Sequence, residues 1–246
     1  MRPFFTVITV CLNAQKTIRG TIESVVSQEC GEYEYIITDG ESADGTWEMI
    51  KQYREIPQIK AFSEKDAGLY NAMNKAIKKS SGQYLIFMNS GDTFYSPNVL
   101  KEVKEYIEHT GKLDIYYGNT KRIYSDKQVP EKYPGRRGVK IMLLAGKMPC
   151  HQSVFASAEV MRKYMFDESY SITADFNFFM KCVRYNHSMK YMDLFVSCSE
   201  CVEGISSKSV NLNEMRRQDD RSIRELYPFW YYALKPVKFV ARRGRG

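Results

Sequence analysis

Nowhere does the chain of 246 residues hold about 18 consecutive apolar residues, the length a helix needs to cross a bilayer, so it is expected to be soluble or to lie on a surface. Cysteine is scarce. The six thiols (Cys11, Cys30, Cys150, Cys182, Cys198, Cys201) read as reduced, cytosolic usage rather than a disulfide framework. Cys198 and Cys201 make one C-x-x-C, but His151 and His187 stand at no recognised spacing from it, so two ligands of a tetrahedral zinc site are wanting. Between Val10 and Gly20 there is neither G-x-G-x-x-G nor a P-loop. A nucleotide's pyrophosphate is then not expected on the first helix, and a divalent metal should carry it. Arg2 with the apolar stretch 4–12 imitates a short signal peptide, yet no small-residue cleavage pattern closes it. There is no internal repeat and no low-complexity tract.

What is present is ordinary globular material, 43% hydrophobic and 26% charged, enough for one large α/β unit or two small ones. Residues 4–10 form an apolar, β-branched run that suits a strand buried on both faces. Ile18, Ile22, Val25 and Val26 then fall on one helical face, with Asn13 upstream to serve the helix start. The alternation repeats, with strands at 35–38, 59–63 and 84–88 and helices around Trp47–Tyr53 and over 69–79. Such a series calls for right-handed crossovers and a parallel sheet. After a helix over 97–107 the pattern changes to short strands at 115–117 and 122–124, a basic loop over 127–138, a strand near 153–155, a helix around Phe176–Val183, a strand at 191–196 and a charged helix over 210–226. The sheet is expected to become mixed there.

In open α/β sheets ligands bind at the carboxyl ends of the strands. Here those ends carry Thr9, Cys11 and Asn13, then Asp39 through Thr46, then Glu64 through Gly68, then Asn89, Ser90, Gly91 and Asp92. Acidic groups gathered at one edge suit a cation such as Mg²⁺ or Mn²⁺, or sugar hydroxyls. Turn and cap chemistry alone also places Asp, Asn, Ser and Gly at such positions.

Five ordered segments carry a resemblance: Phe5-Thr6-Val7-Ile8-Thr9-Val10 through Asn13, Ser24–Gln28, Asp39–Thr46, Glu64–Lys75 and Asn89–Asp92. Together they resemble the family 2 glycosyltransferases, more narrowly the bacterial enzymes that build O-antigen, capsule and colanic-acid-type polysaccharides. The likeness is strong over residues 4–100 and looser to 208. It implies a GT-A nucleotide-diphospho-sugar transferase fold over 1–208, with a nucleotide-binding half (1–110), an acceptor-side half (111–208) and a C-terminal helix and tail (209–246). It also implies inversion at the sugar carbon and Mn²⁺ or Mg²⁺ as cofactor. Thr9 and Asp39 would then meet uracil or another base, with Cys11, Asn13 and Glu41 beside them; Asp66, Lys75, Asn89, Ser90 and Gly91 would line the donor pocket. Asp92 matches the last acid of the family's D-x-D metal motif, while Asn89 and Gly91 stand where relatives have its other acidic positions. Ala174-Asp175 stands where many relatives read Glu-Asp, and Asp175 is the expected general base. His151 and Gln152 match a His-Gln pair on the acceptor side, and Glu203–Ser207 resembles the family's Gly-Gly-Ile-Ser segment. For Asp175 a helix N-terminal role, and for His151 a structural one, remain open alternatives.

Of the net charge of +7, five units sit in the last twelve residues, with no acid among them, just after the aromatic stretch 227–232. Rings beside cations suit a membrane interface, as an acceptor on a polyprenyl diphosphate at the inner face of the cytoplasmic membrane would require. The alternatives are rings packed on the catalytic domain, or nucleic acid, for which no motif is present. Two functional readings thus stand: an inverting transferase using a UDP-sugar, and a non-catalytic nucleotide-sugar-binding partner subunit. A nucleotidyltransferase would want a Gly-rich basic loop after the first strand, which residues 12–16 do not supply.

Overall fold

The computed structural model describes residues 2–200 and 211–233. Its first half follows the alternation: β1 (Phe5–Cys11), α1 (Ile18–Val26), β2 (Tyr33–Asp39), α2 (Thr46–Lys51), β3 (Ile59–Ser63), α3 (Leu69–Lys79) and β4 (Tyr84–Phe87). The strands lie parallel in the order β3-β2-β1-β4. Reversal of the winding beside β1 leaves a crevice at the carboxyl ends there. Every residue of β1 and β2 is buried, since alternate side chains feed cores on opposite faces. Val7, Tyr35 and Ile37 meet α1, α2 and α4 (Val99–Thr110) on one face; Ile8, Val10 and Ile36 meet α3 and later helices on the other.

The second half makes the sheet mixed. A two-residue strand, β5 (Thr93–Phe94), follows β4; then come β6 (Ile115–Ile123), β7 (Gln128–Glu131), α5 (Arg136–Leu144), a 3-10 turn at His151–Ser153, β8 (Val154–Ser157), α6 (Ala158–Tyr164), α7 (Ala174–Arg184), β9 (Met189–Glu200) and α8 (Asn211–Leu226). Antiparallel β8 bridges β4 to β6, β6 runs parallel to β9, β5 closes the edge, and β7 pairs outside β6.

Three expectations change. The two short strands at 115–117 and 122–124 are one strand, β6, kept continuous across Gly118 by a register shift against β9. The loop at 127–138 holds β7 and the start of α5; Pro130 is tolerated because β7 is an edge strand. Asn13 does not cap α1, which starts after Thr17 with no side-chain cap.

α8 is no loose appendage. Ile223 and Tyr227 join the core cluster of α3, α5 and α7, and Gln218 Oε1 accepts hydrogen bonds from the backbone N–H groups of Ile172 and Thr173 (3.1 and 3.2 Å). Cys201, the 203–207 segment and the basic residues from 235 onward lie outside the described residues.

Candidate active site

The β1 and β2 ends are laced together. Asp39, 1% exposed, accepts through Oδ2 from Ser42 N (3.1 Å) and Ser63 Oγ (2.8 Å). Asn13, at φ +50°, donates its N–H to Ser42 Oγ (2.8 Å) and accepts from Ala43 N at Oδ1 (3.0 Å). Asp44 bonds the N–H groups of Gln15 and Thr46 (both 3.1 Å), and the Thr46 hydroxyl holds its carboxyl below the usual range. These short polar side chains replace the helix cap expected of Asn13 with a rigid rim over 39–46. Asp66 Oδ2 stands against Gly40, where a Cβ would come within 2.6 Å of it, so the β3 loop closes tightly on the rim and a side chain at 40 would displace the Asp66 carboxylate. Lys75 Nζ donates to Lys65 O (2.6 Å) and steadies that loop, while Glu41 is exposed at φ +60°.

Two residues lie under the crevice. Thr9 has no exposed surface, and its hydroxyl is spent on Tyr35 OH (2.8 Å) and Met88 O (2.6 Å). It braces strands and does not reach a base as the resemblance implied. Cys11, 9% exposed, has its thiol pushed well up by burial and by Asp39 and Asp44, so it stays protonated and unreactive.

The β4 end meets the second half. Ser90 Oγ bonds Thr17 Oγ1 (2.8 Å), and Thr21 Oγ1 accepts from Gly91 N (3.0 Å) while donating to Asp92 O (2.9 Å). Asp92, 6% exposed, accepts from Gln152 Nε2 (2.5 Å). Burial pushes its carboxyl up, against hydrogen bonds from Gln152 and Ser199 and the attraction of His151 and Arg122. Asn89 Nδ2 lies 3.0 Å from His151 Nε2, and His151 Nδ1 lies 3.1 Å from Asp175 Oδ2. With the amide donating to Nε2, the ring hydrogen sits on Nδ1 and faces the carboxylate. Asp175 Oδ1 accepts from Phe176 N (2.9 Å) and meets Tyr70 OH (3.2 Å), which also bonds Ile172 O. Burial and Asp175 push the Tyr70 phenol well up, so it remains a donor. Asn89, His151, Asp175 and Tyr70 form one chain from β4 through the 3-10 turn to α7 and α3.

Sequence patterns point to Asn89, His151, Gln152, Asp92 and Asp175, but not to Tyr70, Thr17, Thr21 or Ser199 as members of the site. Tyr70 lies inside the Glu64–Lys75 motif, and only the fold shows which way it points. Asn71 and Asn74 of the same motif are structural, since both bond Glu168 (3.0 and 2.8 Å) and Asn74 also bonds the backbone of Phe166.

Among the described residues no three His, Cys, Asp or Glu converge as a metal cluster. Asn89 Oδ1, however, is buried without a partner in the turn that carries Asp92, since Asp92 N bonds Asn89 O (2.9 Å). One carboxylate and one amide oxygen do not make a resident metal cage. They do fit Mg²⁺ or Mn²⁺ arriving with a diphosphate, which needs only one or two protein oxygens.

A PGL/p-HBAD biosynthesis glycosyltransferase of Mycobacterium bovis BCG is 23% identical over 220 residues, 87% of this chain and 84% of that protein. A putative teichuronic acid biosynthesis glycosyltransferase, TuaG of Bacillus subtilis, is 32% identical over 111 residues, 44% of each chain. In structure, S. aureus TarS 1–349 in complex with UDP-GlcNAc superposes with a TM-score of 0.73 at 21% identity, over 92% of this chain and 68% of that one, which establishes the GT-A fold. Among the described residues no helix is long and apolar enough to cross a membrane. The Glycosyl transferase family 2 profile matches residues 6–168, a span that holds both the laced rim and the β4 end with its His151 partner, and the chain belongs to that family.

Proposed function

We propose that this protein transfers a sugar from a nucleotide-diphosphate donor, UDP-linked, to a hydroxyl of a lipid-linked saccharide, with inversion, at the inner face of the cytoplasmic membrane during assembly of a bacterial surface polysaccharide. The carrying observation is the Asp175 carboxylate, 21% exposed, held between His151 and Tyr70 in a cluster that reaches the β4 end. Membership of family 2 supports a transferase. The names of the mycobacterial and Bacillus relatives support a cell-surface glycan, and the UDP-GlcNAc complex of TarS supports a UDP-sugar donor.

The acceptor hydroxyl attacks the anomeric carbon and its proton passes to Asp175. The bond from that carbon to the β-phosphate oxygen breaks, and its electron pair leaves with UDP. His151 Nδ1–H and the Tyr70 hydroxyl orient the carboxylate; Gln152 holds Asp92. The rim over 39–46, with Cys11, Asn13, Asp39, Glu41 and Asp66, receives the base, while Lys75, Asn89, Ser90 and Gly91 line the path to the sugar. Asp92 and Asn89 would hold the Mn²⁺ or Mg²⁺ that comes with the diphosphate, and this metal supplies charge neutralisation on the leaving group, so no second acid is needed.

Asn89, Gly91 and Ala174 in place of acids favour a second reading, a non-catalytic nucleotide-sugar-binding subunit. Calorimetric titration with UDP, with and without Mn²⁺, on wild type and Asp92→Ala separates the outcomes. Metal-dependent binding lost in the variant is expected; absence of UDP binding in wild type overturns the donor assignment. UDP binding with no turnover of any UDP-sugar, in a screen controlled by Asp175→Asn, selects the non-catalytic reading, and the anomeric configuration of a product by NMR tests inversion.

A further inference from the structure

α5 buries Val139, Leu143 and Leu144 and turns Arg137, Lys140 and Ile141 outward, leaving Ile141 71% exposed. Lys140 Nζ lies 5.4 Å from the centroid of the Tyr227 ring and Arg184 Cζ 5.8 Å from the same centroid. Arg184 Nε also donates to Leu226 O (3.0 Å). α5, the end of α7 and the segment after α8 therefore meet around one ring. From that meeting point residues 228–233 carry Phe229 (75% exposed) and Tyr232 (62%) outward, and Tyr185 beside Arg184 is exposed as well.

The described stretches that build this surface carry cations between them and no acid: 132–158, 176–192 and 226–233 contain no Asp or Glu. Of the acids that bound these stretches, Glu131 is paired with Arg122 Nε (2.7 Å), Asp193 with Lys132 Nζ (3.2 Å) and Glu225 with Arg221 Nε (2.9 Å). Scattered exposed hydrophobics need no explanation. Large apolar side chains set among cations, on three segments brought together by folding, match what an anionic bilayer recognises: rings and aliphatic groups in the headgroup layer, cations on lipid charge. A nucleic acid would use the rings and cations but has no use for Ile141.

We propose that α5, Arg184–Tyr185 and residues 227–233 form a docking face for an anionic membrane surface. It rests on the lipid-linked acceptor proposed above and gives that acceptor a direction of approach. Tyr133 OH, just before α5, accepts from Cys150 N (3.0 Å), and His151 follows α5 closely, so the docking helix is tied at both ends to the Asp175 cluster.

The test is co-sedimentation of the full chain with vesicles of phosphatidylglycerol and phosphatidylcholine in equal parts, and with phosphatidylcholine alone. Wild type is expected on the anionic vesicles only. Lys140→Glu removes one cation and adds one anion, and should weaken binding roughly 10- to 30-fold at about 1 kcal/mol per charge. Ile141→Asp should also weaken it, whereas Lys51→Glu on α2, beside the β3 edge, makes the same charge change without effect. Circular dichroism and UDP calorimetry on each variant confirm an intact fold and donor site. Unchanged vesicle binding by the α5 variants overturns the proposal, since the basic end is intact in them. Equal binding to neutral vesicles, preference for single-stranded RNA over lipid, or self-association through these residues would each overturn it too. Vesicle binding without UDP binding sinks the donor assignment and leaves the docking face standing; the converse sinks only the docking face.

Discussion

At the scale of single residues the proposed reaction rests on one carboxylate, Asp175, whose orientation is shared among His151, Tyr70 and the Phe176 N–H. Asp175→Asn keeps the shape and the hydrogen bond from Phe176 N but removes the proposed proton acceptor, and should lower kcat about 10²- to 10⁴-fold with UDP affinity unchanged by calorimetry. His151→Ala removes the Nδ1 donor and frees Asn89 Nδ2, and steady-state kinetics should show a fall in kcat with little change in donor KM; a changed UDP Kd with unchanged kcat would assign His151 to donor binding instead. Tyr70→Phe should be milder, because the Phe176 N–H and His151 still hold the carboxylate. Asp175 was legible in the sequence through its place in a motif. Its partners were not, because His151 and Tyr70 lie 24 and 105 positions away and are joined only by folding.

At the scale of elements, the start of β4 is pinned by Glu34 on β2. Its carboxylate, 3% exposed, accepts from Thr6 Oγ1 (2.6 Å), Gly82 N (3.2 Å), Ser81 Oγ (2.8 Å) and Lys60 Nζ (2.7 Å). Burial alone would raise its pKa, but these bonds, Lys60 first, bring it down to about 2 from 4.5. A carboxyl lowered by folding contributes stability that is whole above its unfolded pKa and fades as pH falls through the folded one. The contribution should be about 2–3 kcal/mol, complete above pH 4.5 and lost toward pH 2. Urea midpoints of wild type and Glu34→Gln should therefore differ at pH 7 and converge on acidification. In β6, a Cβ on Gly118 would lie 2.7 Å from Val196 Cγ2 and 2.8 Å from Leu194 O. Gly118→Ala should cost about 1–3 kcal/mol in the same measurement. That glycine and the polar residues after it are why the sequence read as two strands with a gap; the pairing with β9 that bridges the gap is non-local, and no local pattern announces it. β5, two residues long, is invisible for the same reason.

At the scale of the whole molecule, two cores share one sheet, and α8 closes the second of them. Ile223 is fully buried there, in one core cluster with Val139, Leu143 and Phe178. Ile223→Ala should lower the single thermal transition of the whole protein, by about 2–5 kcal/mol, rather than create a separate early one; an early melting step with an unshifted main transition would show that α8 is an independent piece. α8 itself carries charge nearly all round, and its few apolar positions gave no reason to expect a core helix. By itself the sequence determined the parallel half, because long apolar runs and a 3.6-residue period are local consequences of burial, and it determined the family, because motif residues follow one another in order. Only the tertiary structure decided which of those residues face the crevice. It buried Thr9 with its hydroxyl spent, turned Asn13 from a helix cap into a rim residue, joined His151 and Tyr70 to Asp175, and set α5 against Tyr227. Each of these is a contact between segments far apart in the chain, fixed by packing and hydrogen-bond geometry that no local pattern encodes.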